Sequence, residues 1–282
     1  MHTSSGMGNA MLTARELEAY EERGYVVCPG LVPGATCDAL NAHLSKIITD
    51  VAAEYLAGVR TELGFWDLMT RSRDRVEVFW DAARGSPERG LEAGTMRVGH
   101  ALHAADPVFA AFSTAPPLRT RLAQVVGGDA DMIQSAVIYK QPHSDAVQFG
   151  MHQDASYLTT SPESLALAFV ALDDMTPENG CLEVISGSHR DGLVVVLEMG
   201  PRGFVPTNGR SPPSPSPSRA TPLPIEKGSV IFLHGRAFHG SEPNRSGSPR
   251  RALILHAMSR RSRLAPTSWV VAGGSPPPLL RL

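Results

Sequence analysis

The chain has 282 residues, of which 42% are hydrophobic and 19% are charged, and its formal net charge is −2 from 26 basic and 28 acidic residues. This length allows one large domain with its own core. The near-neutral charge argues against a general binder of nucleic acid or anionic membranes. The three cysteines are too few and too widely spaced for a disulfide framework or a zinc site. Because no secretory leader and no long apolar stretch are visible, we expect a cytoplasmic protein.

The first part of the chain, residues 13–128, is predicted to be helix-rich. Residues 1–12 are small and polar and are predicted to be disordered. Thr13 and Glu16 match a capping box, which marks the start of a helix. In this motif the Thr side chain accepts a hydrogen bond from the backbone N–H of the Glu, and the Glu side chain accepts one from the backbone N–H of the Thr. We expect this helix to end near Gly24, because glycine readily adopts the left-handed conformation that closes helices.

Two further helices and a short strand are predicted in the same part. Apolar residues spaced by threes and fours indicate a helix over Cys37–Leu56. Asp106-Pro107 is a good N-cap and first-turn pair for a third helix, which Pro116-Pro117 interrupts. The run Tyr25–Cys28 is predicted to be a strand, and residues 60–95 are predicted to be charged and irregular. Their expected apolar anchors are Phe65, Trp66, Phe79 and Trp80.

From residue 129 onward, short apolar runs between turn residues predict a β-sandwich or barrel. The runs are Met132–Tyr139, Leu165–Leu172, Cys181–Ile185, Leu193–Leu197, Val230–Leu233 and Ala252–Met258. Pro206–Pro224 is rich in Ser and Pro, a composition that does not pack a core, and is predicted to be a surface insertion. Because strand-like sequence continues on both sides of it, we expect a single domain over 13–275 with its β core at 129–260.

His152 and Asp154 are the first candidates for a metal site. Residues two apart in a strand point the same way, so this pair can present an imidazole and a carboxylate to one ion. A further histidine would complete a face of two histidines and one carboxylate, which suits Fe(II) that binds a co-substrate and dioxygen. A second His-x-Asp match, His143 and Asp145, lies in a polar stretch after a proline and is assigned to a loop. The alternative for either pair is a polar cluster without a metal.

Four downstream histidines are candidates for the third ligand. They are His189, His234, His239 and His256. His189 lies in a turn-like segment and is expected to be exposed, whereas His256 lies in an apolar run and is expected to be a core residue. His234 and His239 flank a turn after a strand, and spacing alone does not separate them.

An acidic co-substrate at such a site needs a basic anchor. Arg250 and Arg251 open the last strong strand, and an inward-facing arginine there can hold a carboxylate through two hydrogen bonds. Alternation along the strand places Arg250, Ile254 and His256 on one face. Arg251 falls on the other face. The alternative is a solvated basic pair at the start of a strand.

Several motifs, taken in order, resemble the phytanoyl-CoA dioxygenase family, and the resemblance covers roughly residues 13–260. The motifs are His152-Gln-Asp154, Asn179-Gly-Cys-Leu182, Ser186-Gly-Ser-His-Arg190, His239-Gly-Ser241 and Pro249-Arg-Arg-Ala252, with Gly99-His-Ala-Leu-His-Ala104, Gln134-Ser135 and Lys140-Gln-Pro-His143. Each motif alone is weak, but as an ordered set they are highly specific.

The resemblance implies a mainly β (α+β) fold, with a double-stranded β-helix or jelly-roll core and helices packed on one sheet. It also implies an Fe(II)- and 2-oxoglutarate-dependent dioxygenase that hydroxylates a small organic or acyl-CoA-type substrate and releases succinate and carbon dioxide. Ascorbate is the expected supporting reductant. The expected partners are a small-molecule substrate and dioxygen, with no nucleic acid and no membrane, and the chain is expected to be a monomer.

The iron ligands of the family fall on His152, Asp154 and His239 of this sequence. The family's arginine for 2-oxoglutarate stands eleven positions after the last ligand, which is Arg250, with Arg251 as the second choice. The resemblance therefore selects one histidine and one arginine from the sets that spacing leaves open.

Three further positions are implied to contact 2-oxoglutarate. Arg97 stands where a close relative has Lys, and Ala136 and Phe169 stand where it has the bulkier Met and Trp. These differences affect the shape of the pocket rather than the metal centre. Pro206–Pro224 has no clear counterpart, and it is either a lid over the site or an inert insertion.

Two other functions remain open from the sequence. The first is a non-catalytic jelly-roll binding protein, although a pure binder has no need for three convergent metal ligands. The second is a jelly-roll metalloenzyme that does not use 2-oxoglutarate, which would have no need for the arginine. The sequence does not name the primary substrate.

Overall fold

The α-helices of the described residues lie in the first half of the chain, and most of the β core lies in the second half. The computed structural model describes residues 11–61, 63–81, 92–210, 215–271 and 277–282. Its α-helices are α1 (Ala14–Arg23), α2 (Gly34–Leu56), α3 (Phe65–Arg71), α4 (Leu102–Ala105), α5 (Pro107–Ser113) and α6 (Pro116–Val125). None of the helices in these ranges is both long enough and apolar enough to cross a bilayer.

The helix signals in the sequence are confirmed with small shifts of boundary. α1 begins after the capping box of Thr13 and ends at Gly24, whose φ of 80° is left-handed. α2 begins at Gly34, slightly before the predicted start. Asp106 caps α5 with its side chain, and Pro116 begins a separate helix at the predicted interruption.

The strands form two larger antiparallel sheets and two short antiparallel pairs. They are β1 (Tyr25–Cys28), β2 (Val76–Trp80), β3 (Thr95–His100), β4 (Ala130–Lys140), β5 (Phe149–His152), β6 (Thr160–Ser161), β7 (Ala166–Ala171), β8 (Leu182–Val184), β9 (Leu197–Gly200), β10 (Gly203–Pro206), β11 (Thr221–Leu223), β12 (Val230–His234), β13 (His239–Ser241), β14 (Arg250–Ser259), β15 (Arg263–Leu264) and β16 (Leu280–Arg281). The large sheet has the order β1-β12-β7-β14-β4-β3-β2 with β16 beside β4, and the small sheet has the order β11-β8-β13-β5.

The two faces of the large sheet pack against different layers. Leu253 and Leu255 of β14 join a core that includes Leu44 and Ile48 of α2, so helices cover one face. The opposite face packs through residues such as Leu167 and Phe169 of β7 on Leu182 and Val184 of the small sheet. Arg250, Ile254 and His256 of β14 face the space between the sheets, as alternation predicted. This arrangement confirms the jelly-roll core with helices on one sheet.

The prediction that residues 60–95 are irregular is wrong for the described part of that segment. It contains α3 and β2, and β3 begins at its end. Glu77, in the middle of β2, is fully buried and pairs with Arg60 and Arg71, at 2.7 Å and 2.8 Å. These charges resemble a solvated stretch in the sequence, but they neutralise one another inside the fold. Residues 82–91 lie outside the described residues.

The predicted strand Leu193–Leu197 is also wrong, because only Leu197 is in a strand. The backbone N–H of Val194 donates to the side chain of Gln153 at 3.0 Å instead of to a neighbouring strand. Residues 1–10 lie outside the described residues, whereas Leu12, predicted to be disordered, is buried and hydrogen-bonded to Gln124. Within the predicted insertion, β11 pairs with β8 at the edge of the small sheet, and residues 211–214 lie outside the described part.

Candidate metal centre and active-site cavity

Three residues of the sequence motifs converge at one edge of the small sheet. His152 at the end of β5 lies opposite His239 at the start of β13, with ring centroids 4.3 Å apart. The backbone of Gln153 is extended, so the side chains of His152 and Asp154 lie on the same side of the chain, as they would in a strand. Asp154 then begins a 3-10 helix instead of continuing the strand. The carboxylate oxygens of Asp154 lie 3.5 Å from Nε2 of His152 and 3.6 Å from Nε2 of His239.

The hydrogen bonds of the two imidazoles direct one nitrogen of each ring toward the carboxylate. Nδ1 of His152 lies 2.8 Å from the carbonyl oxygen of Gly150, and Nδ1 of His239 lies 3.0 Å from that of Ala237. Because a carbonyl oxygen only accepts, each Nδ1 carries a hydrogen, and each Nε2 has a lone pair for a metal. Ligand atoms of the three residues lie within 4.8 Å of one another, the one such cluster among the described residues.

The electrostatics of the triad favour a bound cation. Burial lowers the pKa of His239 to about 4, so this imidazole is neutral at neutral pH. Burial opposes ionisation of Asp154, but His239 and His256 hold the pKa of its carboxyl well below the usual range. Burial also opposes protonation of His152, but the nearby carboxylate of Asp154 raises its pKa. Two imidazole nitrogens and a carboxylate with open positions fit a divalent metal.

His256 belongs to this site, although the sequence assigned it to the core. It is buried on β14, and its Nε2 donates to Oδ2 of Asp154 at 3.0 Å, while its Nδ1 has no hydrogen-bond partner. This bond fixes the orientation of the carboxylate ligand candidate. The available signal in the sequence was its place on the same strand face as Arg250.

The triad lines a cavity of about 520 Å³ between the two sheets. Strands β3, β4, β7 and β14 of the large sheet contribute to its wall, as do β5, β8 and β13 of the small sheet, with α3 and β10 on another side. Asp154 is the one carboxylate among the described lining residues, and Arg97 and Arg250 are the arginines. A cavity of this size suits a small molecule.

Arg250 is a buried cation without an acidic partner in the described part of the chain. Its side chain is 1% exposed, Nη2 donates to the carbonyl oxygen of Gly180 at 2.5 Å, and Nε has no hydrogen-bond partner. Its guanidinium carbon lies 5.8 Å from the centre of the Phe169 ring. Burial lowers its pKa to about 10, which leaves it charged at neutral pH. A buried, unpaired guanidinium facing a cavity fits a carboxylate ligand.

The three other predicted co-substrate residues line the same cavity. Arg97 of β3 contacts Nε2 of His100 at 3.0 Å, and burial lowers the pKa of Arg97 to about 10. Ala136 of β4 and Phe169 of β7 flank Ile254 of β14 in register. The fold therefore brings Arg97, Ala136 and Phe169 to the same cavity as Arg250 and the triad.

A sequence profile described as phytanoyl-CoA dioxygenase (PhyH) matches residues 20–252. The chain belongs to this family. Phytanoyl-CoA dioxygenase domain-containing protein 1 of Bos taurus is 30% identical to it over 93% of this chain and 95% of the relative. The protein of the same name from Danio rerio is 29% identical, over 93% and 96%. Phytanoyl-CoA dioxygenase of Arabidopsis thaliana is 26% identical, over 95% and 96%. Membership of the PhyH family makes the chain an oxygenase.

Solved structures support the same fold for this PhyH-family chain. EctD from S. alaskensis, solved with bound Fe, has a TM-score of 0.69 at 21% identity and covers 100% of this chain and 90% of its own. The non-heme alpha-ketoglutarate-dependent carbocyclase SnoK from nogalamycin biosynthesis has a TM-score of 0.65 at 19% identity, with 95% and 96% covered. At these identities the likeness concerns the fold.

The other candidate ligands of the PhyH-family chain lie away from the triad. His189 is buried, contrary to the prediction, because its Nε2 donates to the carbonyl oxygen of Glu21 in α1 at 2.9 Å. The ring of His234 packs at a tilt beside that of His189, with centroids 5.1 Å apart, and its Nδ1 accepts a hydrogen bond from the backbone N–H of Arg236. His143 lies in an exposed turn, as predicted.

The second-choice arginine is also placed elsewhere. Arg251 makes a two-point ion pair with Asp173, in which Nε and Nη2 lie 2.8 Å and 2.7 Å from the two carboxylate oxygens. It is not among the residues that line the cavity. Of the two adjacent arginines, only Arg250 is available to a ligand in the cavity.

Gln153, between two candidate ligands, has a positioning role that the sequence did not suggest. It is 1% exposed, and its amide nitrogen donates to the carbonyl oxygens of Gly192 and Arg236, at 2.9 Å and 2.7 Å. Its amide oxygen accepts from the backbone of Val194. The side chain thus ties the segment of His152 and Asp154 to the turn that leads into β13 and to the loop before β9.

Proposed function

We propose that this PhyH-family oxygenase depends on Fe(II) and 2-oxoglutarate and hydroxylates a small organic substrate. The observation that supports this most directly is that one cavity combines a metal-type triad with a buried arginine that has no acidic partner among the described residues. A metalloenzyme that does not use 2-oxoglutarate has no need for an unpaired Arg250. The same geometry is compatible with a substrate of the acyl-CoA type or with a smaller molecule.

The residues of this chain divide into metal-binding and carboxylate-binding groups. His152, Asp154 and His239 would hold the iron, and Arg250 would hold the distal carboxylate of 2-oxoglutarate. When bound, the iron would activate dioxygen, the oxidant of the reaction, and 2-oxoglutarate would supply two electrons as it is cleaved to succinate and carbon dioxide, so that one oxygen atom enters the substrate and the other enters succinate. Arg97, Ala136 and Phe169 line the remainder of the co-substrate space.

The protein's own part is to hold these groups and exclude water. The carbonyl oxygens of Gly150 and Ala237 fix the two imidazoles, and His256 fixes one oxygen of Asp154. Because these supports are backbone groups or buried side chains, the ligand nitrogens and oxygens are oriented before the metal binds. The apolar walls hold the target carbon close to the open side of the metal centre.

An anaerobic titration tests the proposal without knowledge of the substrate. Protein loaded with Fe(II) under nitrogen should develop a visible charge-transfer band when 2-oxoglutarate is added. With oxygen and ascorbate, it should form succinate slowly in the absence of substrate. Asp154→Ala should abolish both signals.

The matched control changes the carboxylate of the other His-x-Asp pair. Asp145→Ala alters an exposed loop residue and should leave the band and the succinate unchanged. Folded wild-type protein that forms neither the band nor succinate above a metal-free reaction would contradict the proposal and favour a different metal chemistry.

A further inference from the structure

A connected arc of aromatic side chains borders the cavity beside the metal centre. The Tyr157 ring lies 6.0 Å from that of His152 and packs edge-to-face on Phe204 at 4.7 Å. Phe204 meets Trp66 at 5.9 Å, and Trp66 meets Phe65 at 5.1 Å, again edge-to-face. We name Tyr157, Phe204, Trp66 and Phe65 the aromatic arc. Its members come from the segment after the metal ligands, from β10 and from α3.

Trp66, Tyr157 and Phe204 pack on one side against a buried apolar cluster, and the arc also presents ring surface to the cavity, where a ligand can contact it. All four rings line the cavity, and none of them is fully buried; Phe65 is 43% exposed. Gly203, next to Phe204, has a φ of 139°, and a Cβ atom there would lie 3.3 Å from the Trp66 ring. A larger residue at this position would therefore be strained and would crowd Trp66. The glycine allows β10 and α3 to approach across the cavity.

The charges around the cavity restrict what the arc can bind. Aromatic clusters also serve as cages for cations, but a cationic ligand here would face Arg97 and Arg250. Asp154, the one carboxylate among the described lining residues, is committed to the metal centre. With Fe(II) and 2-oxoglutarate bound, the two arginines keep the sum of formal charges positive. An uncharged or anionic ligand is favoured, and a cation is not.

We propose that the aromatic arc is the subsite of the primary substrate, and that this substrate is a small, uncharged or anionic molecule with a planar aromatic ring. The assignment of the occupant as substrate rests on the proposed oxygenase function. The three contacts within the arc have interplanar angles of 78°, 87° and 85°, and an aromatic ring extends this edge-to-face series better than a saturated ring. Tyr157 would place such a ring next to His152, beside the metal.

Binding of three probes of similar size to the full chain tests the inference. The probes are naphthalenemethanol, its saturated ring analogue decahydronaphthalenemethanol, and the cation naphthylmethylammonium. Calorimetry is performed first on metal-free protein and then with Fe(II) and 2-oxoglutarate under nitrogen. Naphthalenemethanol should bind about tenfold tighter than the saturated analogue, because edge-to-face contacts add to apolar burial. With iron and 2-oxoglutarate bound, it should also bind at least tenfold tighter than the cation.

Two leucine variants test whether the preference for the aromatic probe over the saturated probe arises at the aromatic arc. Phe204→Leu keeps an apolar side chain but removes a ring of the arc, and it should reduce the preference for the aromatic probe to threefold or less. Phe112→Leu, in the layer of helices on the other side of the large sheet, should leave the preference unchanged. Thermal unfolding confirms that both variants are folded.

The outcomes separate this inference from the proposed function. Equal binding of the aromatic and saturated probes to wild type, or a full preference that persists in Phe204→Leu, would overturn the inference. Tighter binding of naphthylmethylammonium than of naphthalenemethanol would overturn the inference that the substrate is uncharged or anionic. Because the first measurement contains no metal and no 2-oxoglutarate, the aromatic preference can hold or fail independently of the charge-transfer band that tests the oxygenase.

Discussion

Replacing Arg250 with Ala should specifically weaken the binding of 2-oxoglutarate. Arg250 is buried in the wall of the cavity, and burial lowers its pKa only to about 10, so it stays charged. Its one hydrogen bond among the described residues goes to the carbonyl oxygen of Gly180, and its Nε has no partner. The side chain therefore has unused donors for a carboxylate, and truncation would remove the guanidinium that pairs with that carboxylate.

The size of the effect follows from the burial of the pair. Truncating one side of a buried, hydrogen-bonded charge pair costs about 2–5 kcal/mol. At about 1.4 kcal/mol for each factor of ten, this cost corresponds to an increase in the Kd of 2-oxoglutarate of between about 30-fold and about 4,000-fold. Arg250→Lys keeps a charge but loses the planar fork, so its Kd should lie between those of wild type and Arg250→Ala.

The assay is anaerobic titration of the Fe(II)-loaded protein with 2-oxoglutarate, followed by the visible band. Arg251→Ala is the matched control, since Arg251 pairs with Asp173 outside the cavity and its loss should not change the Kd. A Kd within threefold of wild type for Arg250→Ala would refute the reasoning. A large rise for Arg251→Ala alone would show that the neighbouring arginine holds the co-substrate.

Three further predictions concern metal binding and stability. His239→Ala should abolish stoichiometric Fe(II) binding in equilibrium dialysis, and His234→Ala should retain it; the reverse result would identify a different third ligand. Gln153→Glu loses both amide donors, which costs about 1–3 kcal/mol for each unsatisfied carbonyl, and should lower iron affinity about 10- to 100-fold. Gln141→Glu is the control, because it also loses two hydrogen bonds to backbone carbonyl oxygens. It should lower thermal stability and leave the iron affinity unchanged. Equal iron affinities in the two variants would contradict the positioning role of Gln153. Burial lowers the pKa of His103 from 6.5 to about 4, so the unfolded chain binds more protons than the folded protein between these two pH values. The stability of the protein should therefore fall as the pH drops from 6.5 to about 4. His103→Leu should flatten the dependence of Tm on pH in this range, and an unchanged slope would contradict the prediction.

Features that depend only on neighbouring residues could be predicted from the amino-acid sequence alone. The capping box at Thr13 and the glycine at Gly24 set the ends of α1, because these signals act within one helical turn. Alternation along β14 placed Arg250 and His256 on the inner face, because side chains of a strand alternate without regard to its neighbours. The ordered motifs indicated the family, which the match over residues 20–252 establishes.

Features that depend on pairing between distant segments could not be predicted in this way and follow only from the folded structure. His234 and His239 are equivalent in spacing, but the register of β13 against β5 brings His239 to His152. Charged Glu77 resembles a solvated residue until Arg60 and Arg71 meet it inside the fold. These contacts bring together residues far apart in the chain, or depend on which strands pair. Local periodicity carries no information about such pairing, so the cavity and its charge balance emerge only when the sheets close on each other.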